Sequence, residues 1–163
     1  LWAYKKKYIY FITMDSDFAH DPKYIPQLIK KIRNADVAVG SRYLRKNSTP
    51  NWPLFRQFLS QGARLTTYIL FRHKFDSTNA FRCYNLKKIN KNFISYCKSN
   101  DYDFFFTSLA ILNLKKYKIV EFPMTIKARV KGNSKFYFKY ICKSIYMMFG
   151  LFFKIIFKYK SSL

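Results

Sequence analysis

The chain has 163 residues, half of them hydrophobic and 21% aromatic, which is enough to form the core of one globular domain. Its 31 Lys and Arg against 8 acidic residues give a formal net charge of +23, which favours polyanionic partners such as nucleic acids, anionic lipids or phosphorylated substrates. Three distant cysteines and two isolated histidines, His20 and His73, exclude a disulfide framework or a zinc site of recognisable spacing, so we expect free thiols and loop or surface histidines.

The first predicted strand ends in a pair of acidic residues. Residues from Tyr8 to Met14 are mostly β-branched or aromatic and predict a buried strand, and Asp15 and Asp17 follow it directly. Carboxylates at this spacing are typical of sites that hold Mg²⁺ or Mn²⁺ against a diphosphate, because the metal keeps positions free for phosphate oxygens. A turn capped by the second aspartate is the structural alternative. His20 is close enough to Asp17 in sequence to contact a metal ligand, without being a ligand itself.

A helix and a second strand follow the acidic pair. Asp21 and Pro22 are typical of a helix start, and the apolar spacing after them predicts a helix over about 22–33. Residues 37–39 predict a short buried strand that leads to Arg42, which completes a βαβ unit with parallel strands. We therefore expect Arg42 and the acidic pair at the carboxyl ends of neighbouring strands, the edge where open α/β sheets bind ligands.

A longer helix is predicted from about Leu54 to Phe71. Arg56 and Ser60 are four residues apart on it, so a guanidinium and a hydroxyl share a face and can address one anion, the alternative being a solvated arginine. The remaining predicted elements are a polar loop from Asp76 to Arg82, an amphipathic segment, a helix from about Phe105 to Lys116 and a strand from Lys118 to Phe122.

The last part of the chain has a different pattern. From Lys135 onward the lysines fall on one arc at 100° per residue, and nearly all other positions are apolar or aromatic. The longest apolar run, Ile145 to Phe153, is nine residues, well short of the ~20 that cross a bilayer. We expect a basic amphipathic helix that lies in the headgroup plane. A helix packed on the domain and a helix paired with a membrane-embedded partner are the alternatives.

Five stretches of the chain, residues 14–22, 40–43, 56–63, 76–82 and 129–135, resemble in this order the family 2 glycosyltransferases of the GT-A fold. The resemblance is greatest to the polyprenyl-phosphate sugar transferases, the group of the dolichol-phosphate mannosyltransferases. It implies an α/β fold with a Rossmann-like, mostly parallel sheet, whose catalytic part covers 1–135 and is followed by an amphipathic, membrane-associating tail over 136–163. It also implies that the family's nucleotide-binding part precedes Leu1, so that this chain is N-terminally truncated.

The same resemblance implies a role for ten residues. Asp15 and Asp17 would hold Mg²⁺ or Mn²⁺ on the diphosphate of a GDP- or UDP-linked sugar, and Asp76 and Arg82 would belong with them to the catalytic group. The residues implied for binding the phosphate of a polyprenyl (dolichyl or undecaprenyl) phosphate are Arg42, Arg56, Ser60, Arg129, Ser134 and Lys135. The implied activity is metal-dependent, inverting sugar transfer by a peripheral or monotopic protein at the cytoplasmic face of a membrane.

Three other interpretations stay open. A family 2 enzyme with a saccharide acceptor, as in surface polysaccharide synthesis, would need a carboxylate base, for which Asp76 and Asp103 are the plausible residues of the second half. A nucleic-acid-binding module would explain the charge and the aromatic content, and would bind in a salt-dependent manner insensitive to Asp15→Asn. A membrane adaptor would explain the tail but leave the acidic pair without a purpose. The resemblance favours enzymes without a nucleic-acid partner.

Overall fold

The fold is known from a computed structural model, which describes residues 1–97, 103–127, 145–146, 148–150 and 152–153. Arg129, Ser134, Lys135 and most of the predicted tail lie outside the described residues. The helices are α1 (Trp2–Lys5), α2 (Ile25–Ile32), α3 (Leu54–Phe71) and α4 (Asp103–Leu114), and the strands are β1 (Tyr10–Thr13), β2 (Val37–Ser41), β3 (Arg82–Asn85) and β4 (Ile119–Pro123).

The four strands form a mixed sheet in the order β1-β3-β2-β4. β2 and β4 pair in parallel, whereas β3 is antiparallel to both β1 and β2. β1, β2 and β4 therefore run in the same direction, and their carboxyl ends lie at one edge of the sheet, as the α/β prediction requires. One detail of that prediction is wrong. The strands before Asp15 and Arg42 are not neighbours, because β3 lies between them.

The central strand β3 carries a completely buried arginine. The sequence predicts a polar loop up to Arg82 and only an amphipathic segment after it, yet all four residues of β3 are buried. The Arg82 guanidinium donates hydrogen bonds to the carbonyl oxygens of Ser77, Asn79 and Phe105 at 2.6–2.8 Å. These acceptors replace the water that a charged group loses on burial. A charged residue can therefore occupy the middle of this sheet.

The strand before the acidic pair is less buried than its sequence predicts. Among the described residues β1 has a single neighbour, β3, and Phe11 remains 44% exposed. The Phe11 ring packs on Tyr84 of β3, with ring centroids 6.3 Å apart. The run of large apolar residues in β1 therefore indicates a strand correctly, but it does not make that strand a core element of the part described.

Helix α2 begins and packs as predicted. The Asp21 carboxylate accepts a hydrogen bond from the Lys23 N–H at 3.0 Å and caps a short 3₁₀ turn, Pro22–Tyr24, that leads into α2. Leu28 and Ile32 are completely buried against the sheet. Each contributes roughly 1.5–3 kcal/mol through its buried apolar area. This packing fixes α2 behind the loop that carries the acidic pair.

Helix α3 has different surroundings on its two faces. It spans the predicted bounds and buries Thr67 and Phe71 on its inner side. No helix among the described segments is long and apolar enough to span a bilayer. The outer face of α3 carries large apolar side chains that are 58–83% exposed: Leu54, Phe55, Phe58, Leu65 and Ile69.

Candidate active site

Three loops meet at the edge of the sheet where β1, β2 and β4 end. The acidic loop 14–21 follows β1, the basic loop 42–53 follows β2, and the loop 72–81 enters β3 from the same edge because β3 runs in the opposite direction. The sheet thus brings the predicted acidic and basic residues of the first half together, although β3 separates their strands.

The acidic loop is a tight turn with two accessible carboxylates. The Asp15 side chain is 52% exposed, and one oxygen of Asp17 accepts a hydrogen bond from the Ala19 N–H at 3.1 Å. Phe18, which lies between Asp17 and Ala19, has a positive φ of 60° and a side chain that is almost fully exposed. Asp17 therefore caps the turn, and this use of one carboxylate oxygen is compatible with a cation held by the other.

His20 lies in the acidic loop, as expected, but its side chain is buried rather than at the surface. Its Nδ1 accepts a hydrogen bond from the Asp15 N–H at 3.0 Å. Burial lowers the pKa of His20, against the opposing charge of Asp15, so the ring is neutral and Nδ1 is free to accept. The His20 ring also packs on the ring of Phe81, with centroids 5.4 Å apart. The acidic loop is therefore tied to the loop before β3.

Asn79 connects the loop before β3 to the end of β2. Its side-chain amide donates to the Gly40 carbonyl oxygen at 2.5 Å, and its oxygen accepts from the Phe81 N–H at 3.1 Å. The neighbouring Ala80 carbonyl accepts from the Thr13 hydroxyl at 2.5 Å. The ends of β1, β2 and β3 are thus fixed relative to one another by short polar contacts.

Arg42 and Asp76 form a nearly buried, bidentate ion pair. The Arg42 Nε donates to Asp76 Oδ2 at 2.8 Å and Nη2 donates to Oδ1 at 2.6 Å, while the Arg42 backbone N–H also donates to Oδ2 at 3.0 Å. Burial lowers the pKa of Arg42, but the Asp76 carboxylate outweighs it and raises that pKa above its ordinary value. A predicted phosphate-binding cation thus has its charge balanced by a predicted catalytic carboxylate.

Glu121 is a site residue that the sequence reasoning missed. Its Oε1 accepts a hydrogen bond from the Asp76 N–H at 2.7 Å. Burial raises the pKa of Glu121, opposed by this hydrogen bond. A glutamate inside the predicted strand 118–122 was the available signal, because a carboxylate in a half-buried strand needs partners.

Two aromatic rings hold the predicted phosphate-binding residues. The Arg56 guanidinium lies 3.8 Å from the Trp52 ring centroid, and the Arg42 guanidinium lies 5.6 Å from the same centroid. The Tyr43 hydroxyl is 2.8 Å from the Ser60 hydroxyl and donates to the Ser60 carbonyl oxygen at 2.9 Å. Arg42, Arg56 and Ser60 are therefore placed around Trp52 and Tyr43.

The described residues hold no cluster of three His, Cys, Asp or Glu side chains of the kind that would bind a metal without substrate. Asp15 and Asp17 nevertheless suit Mg²⁺, which proteins often hold with one or two carboxylates while substrate phosphates and water complete the octahedron. Arg82 lies beneath the site in contact with carbonyl oxygens and the Ser108 hydroxyl, rather than at its surface. Arg129, Ser134 and Lys135 fall outside the described residues.

The chain matches Glycosyl transferase family 2 over residues 2–97. It is 33% identical to the dolichol-phosphate mannosyltransferase of Pyrococcus furiosus over 77% of this chain and 35% of that protein. It is 28% identical to the undecaprenyl-phosphate mannosyltransferase of Micrococcus luteus over 82% of this chain and 56% of that protein. For the polyprenol monophosphomannose synthase of Mycolicibacterium smegmatis the identity is 32%, over 82% of this chain and 51% of that protein.

The chain thus spans between about a third and just over half of the length of these relatives. The family match covers more than half of the chain and includes the acidic loop, Arg42, all of α3 and β3. These are the elements that form the edge of the sheet described above. The chain belongs to glycosyl transferase family 2.

Proposed function

We propose that this chain forms the catalytic part of an enzyme that transfers a sugar, with inversion, from a nucleotide sugar to a polyprenyl phosphate. The observation that carries the proposal is the meeting of an acidic loop and an arginine-rich loop at one sheet edge. Asp15 and Asp17 would face the donor diphosphate, and Arg42 and Arg56 the acceptor phosphate. The three curated relatives are named for mannose transfer, which makes a mannosyl donor the first choice.

The chemistry of a phosphate acceptor suits the residues present. A phosphomonoester has a second pKa near ~6, so it is already a nucleophilic dianion at neutral pH and requires no strong base. The protein must then supply cationic groups and an in-line geometry for attack on the sugar C1. Arg42, held by Asp76, and Arg56, stacked on Trp52, are preorganised donors for that purpose. A single displacement inverts the configuration at C1.

A divalent cation, Mg²⁺ or Mn²⁺, would be held by Asp15 and Asp17 and would stabilise negative charge on the departing nucleotide. His20 contributes by holding the Asp15 backbone, since its neutral Nδ1 accepts the Asp15 N–H. Asp76 and Arg82 act as positioning residues: Asp76 holds Arg42, and Arg82 holds the loop that carries Asp76. Arg129, Ser134 and Lys135, which come after the described residues 103–127, are proposed to bind phosphate.

A membrane surface is proposed as the place of reaction, because a polyprenyl phosphate presents its headgroup there. The exposed apolar face of α3 supports this proposal, together with exposed Phe149 and Phe153 in the tail. Phe152 packs on Phe71 at the end of α3, with centroids 6.5 Å apart. We propose that the catalytic part, 1–135, and the tail, 136–163, meet the cytoplasmic leaflet through these surfaces.

A saccharide acceptor is the second candidate, and Glu121 is the observation in its favour. It is a carboxylate with a raised pKa next to Asp76, as a general base requires. Its Oε1 is, however, occupied by the Asp76 N–H, and Asp76 itself is completely buried. Both carboxylates therefore hold other groups of the protein in place, and neither is positioned to accept a proton from an incoming hydroxyl.

The two candidates are distinguished by offering labelled nucleotide sugars together with a short polyprenyl phosphate, the corresponding polyprenol or an oligosaccharide. The protein used is the whole polypeptide in which this chain occurs, with and without EDTA. We expect label in the organic phase only with the phosphate, and loss of it in EDTA. Label that appears on an added saccharide, with none on the polyprenyl phosphate, would replace the first candidate by the second.

A further inference from the structure

A cleft of about 590 Å³ lies between loop 43–51 and α3. Its described lining contains four cations and no carboxylate; the cations are Arg42, Arg45, Lys46 and Arg64. The charge of Arg42 is balanced by Asp76, so the remaining positive charge of the cleft comes from Arg45, Lys46 and Arg64, of which Arg64 also attracts the Glu121 carboxylate. No carboxylate in the described part of the chain forms an ion pair with these three. Such a cleft attracts a compact dianion.

Arg64 is the best placed of these three cations. Its guanidinium lies 4.4 Å from the Tyr43 ring centroid, and the guanidinium of Arg42 lies 5.4 Å from the same centroid. The ring is fixed because the Tyr43 hydroxyl bonds to both the carbonyl and the hydroxyl of Ser60. A guanidinium stacked on a fixed ring keeps the edge of its N–H fork open for bidentate binding of phosphate.

The same contacts arrange three guanidinium groups and two aromatic rings in alternation. Arg64 contacts Tyr43, Tyr43 contacts Arg42, Arg42 contacts Trp52, and Trp52 contacts Arg56. Asp76 neutralises the central arginine of this row. On α3, the residues that face the cleft are Gln57, Gln61 and Arg64, spaced four and three apart, rather than Arg56 and Ser60.

We propose that Arg64 binds a phosphomonoester in this cleft and that Tyr43 positions Arg64 for that contact. The inference rests on the proposed function insofar as the phosphate is the acceptor headgroup, but the site itself requires only a phosphomonoester dianion. Arg45 and Lys46, which also line the cleft, add positive charge. Tyr43 acts through its ring and through its hydrogen bonds to Ser60, and it touches no reacting atom.

The test is direct binding by calorimetry at about 0.15 M salt, where contacts of exposed charges are partly screened. The probes are farnesyl phosphate, inorganic phosphate and farnesol, each titrated into the chain and into Arg64→Gln. The matched control is Arg33→Gln, which removes the same charge from an exposed position at the end of α2. Melting temperatures establish that both variants fold, as expected for side chains that are not core residues.

Arg64→Gln is expected to weaken both phosphate probes about tenfold or more and to leave farnesol unchanged, because a charge-assisted bidentate contact is lost. Arg33→Gln is expected to change each probe by less than about twofold. Tyr43→Leu should resemble Arg64→Gln, and Tyr43→Phe, which keeps the ring, should retain most of the phosphate binding. Equal effects of Arg64→Gln and Arg33→Gln, or an equal loss of farnesol binding, would overturn the proposal.

The probes also distinguish a lipid phosphate from a soluble phosphate. Together with the transfer assay, they distinguish failure of the proposed function from failure of this site. Tighter binding of farnesyl phosphate than of inorganic phosphate identifies a lipid headgroup, and equal binding identifies a soluble phosphate, both through the same Arg64. If no sugar is transferred to a polyprenyl phosphate while Arg64→Gln still weakens phosphate binding, the proposed function fails and this site stands. If sugar is transferred to a polyprenyl phosphate while Arg64→Gln leaves phosphate binding unchanged, the proposed function stands and this site fails.

Discussion

At the scale of the residue, Asp17 has two tasks that one substitution separates. Its carboxylate caps the acidic turn through the Ala19 N–H, and it is proposed to hold a divalent cation. Asp17→Asn keeps an oxygen for the cap but loses the charge, so we expect an unchanged fold and a rate of sugar transfer lower by ~100-fold or more. Circular dichroism and transfer assays over a range of Mn²⁺ concentrations measure the two effects. Full activity of the variant would remove Asp17 from the metal site.

His73 makes a residue-scale prediction about pH and stability. Burial, with help from Arg82, lowers the pKa of His73 to about 4 from an ordinary value of 6.5. As the pH falls from 6.5 to about 4, the unfolded chain binds a proton at His73 that the folded chain does not bind. The free energy of unfolding therefore decreases over this pH range, by a total on the order of 3 kcal/mol. The ring stacks between Phe71 and Phe75, with centroids 6.3 and 5.5 Å away.

His73→Phe keeps this stacking and removes the proton-binding group. We therefore expect the free energy of unfolding, measured in urea from pH 7 to pH 4, to fall less steeply in the variant than in the parent chain. The parent and the variant should converge in slope above pH 7, where the histidine is neutral in both states. Parallel curves over the whole acid range would mean that His73 does not contribute to the acid sensitivity.

At the scale of the element, the outer face of α3 is predicted to insert into lipid. Phe58, Leu65 and Ile69 are 75%, 58% and 63% exposed, so replacing all three by Ser removes apolar area without opening the core. Since each such side chain contributes roughly 1.5–3 kcal/mol when it enters an apolar phase, we expect binding to phosphatidylcholine vesicles to fall at least about tenfold. Trp2→Ser, on an equally exposed position of α1, is the control.

Sedimentation with neutral and with anionic vesicles measures this effect. The α3 variant should bind anionic vesicles only at low salt, where the lysines and arginines of the chain suffice. Unchanged binding of the triple variant to neutral vesicles would assign membrane attachment to other parts of the chain.

The elements also differ in how far the sequence predicts them. The bounds of α3 follow from its apolar spacing and the preceding Pro53, both local signals. β3 was missed because Arg82 is satisfied by carbonyl groups of the loop that precedes it and of α4. The acidic pair and Arg42 were found because motif and strand end coincide. Arg64, Tyr43 and Glu121 were not, because their importance arises from contacts across the fold.

At the scale of the whole molecule, the net charge of +23 and the exposed apolar face of α3 point to the same kind of partner. A cationic protein with an apolar face suits a surface that is anionic outside and apolar within, as a membrane with phosphorylated lipids is. The basic cleft beside α3 would then open toward the lipid headgroups. Charge that first suggests nucleic acid thereby agrees with the proposed transfer of a sugar to a lipid phosphate.

The most direct test of this account is the ³¹P NMR spectrum of the lipid product formed by the whole polypeptide from a nucleotide sugar and a short polyprenyl phosphate. We predict that the phosphomonoester signal of the acceptor is replaced by that of a phosphodiester, with the sugar attached in the configuration opposite to that of the donor. A lipid phosphomonoester that persists while the nucleotide is released and the sugar becomes attached to a hydroxyl group would contradict the account.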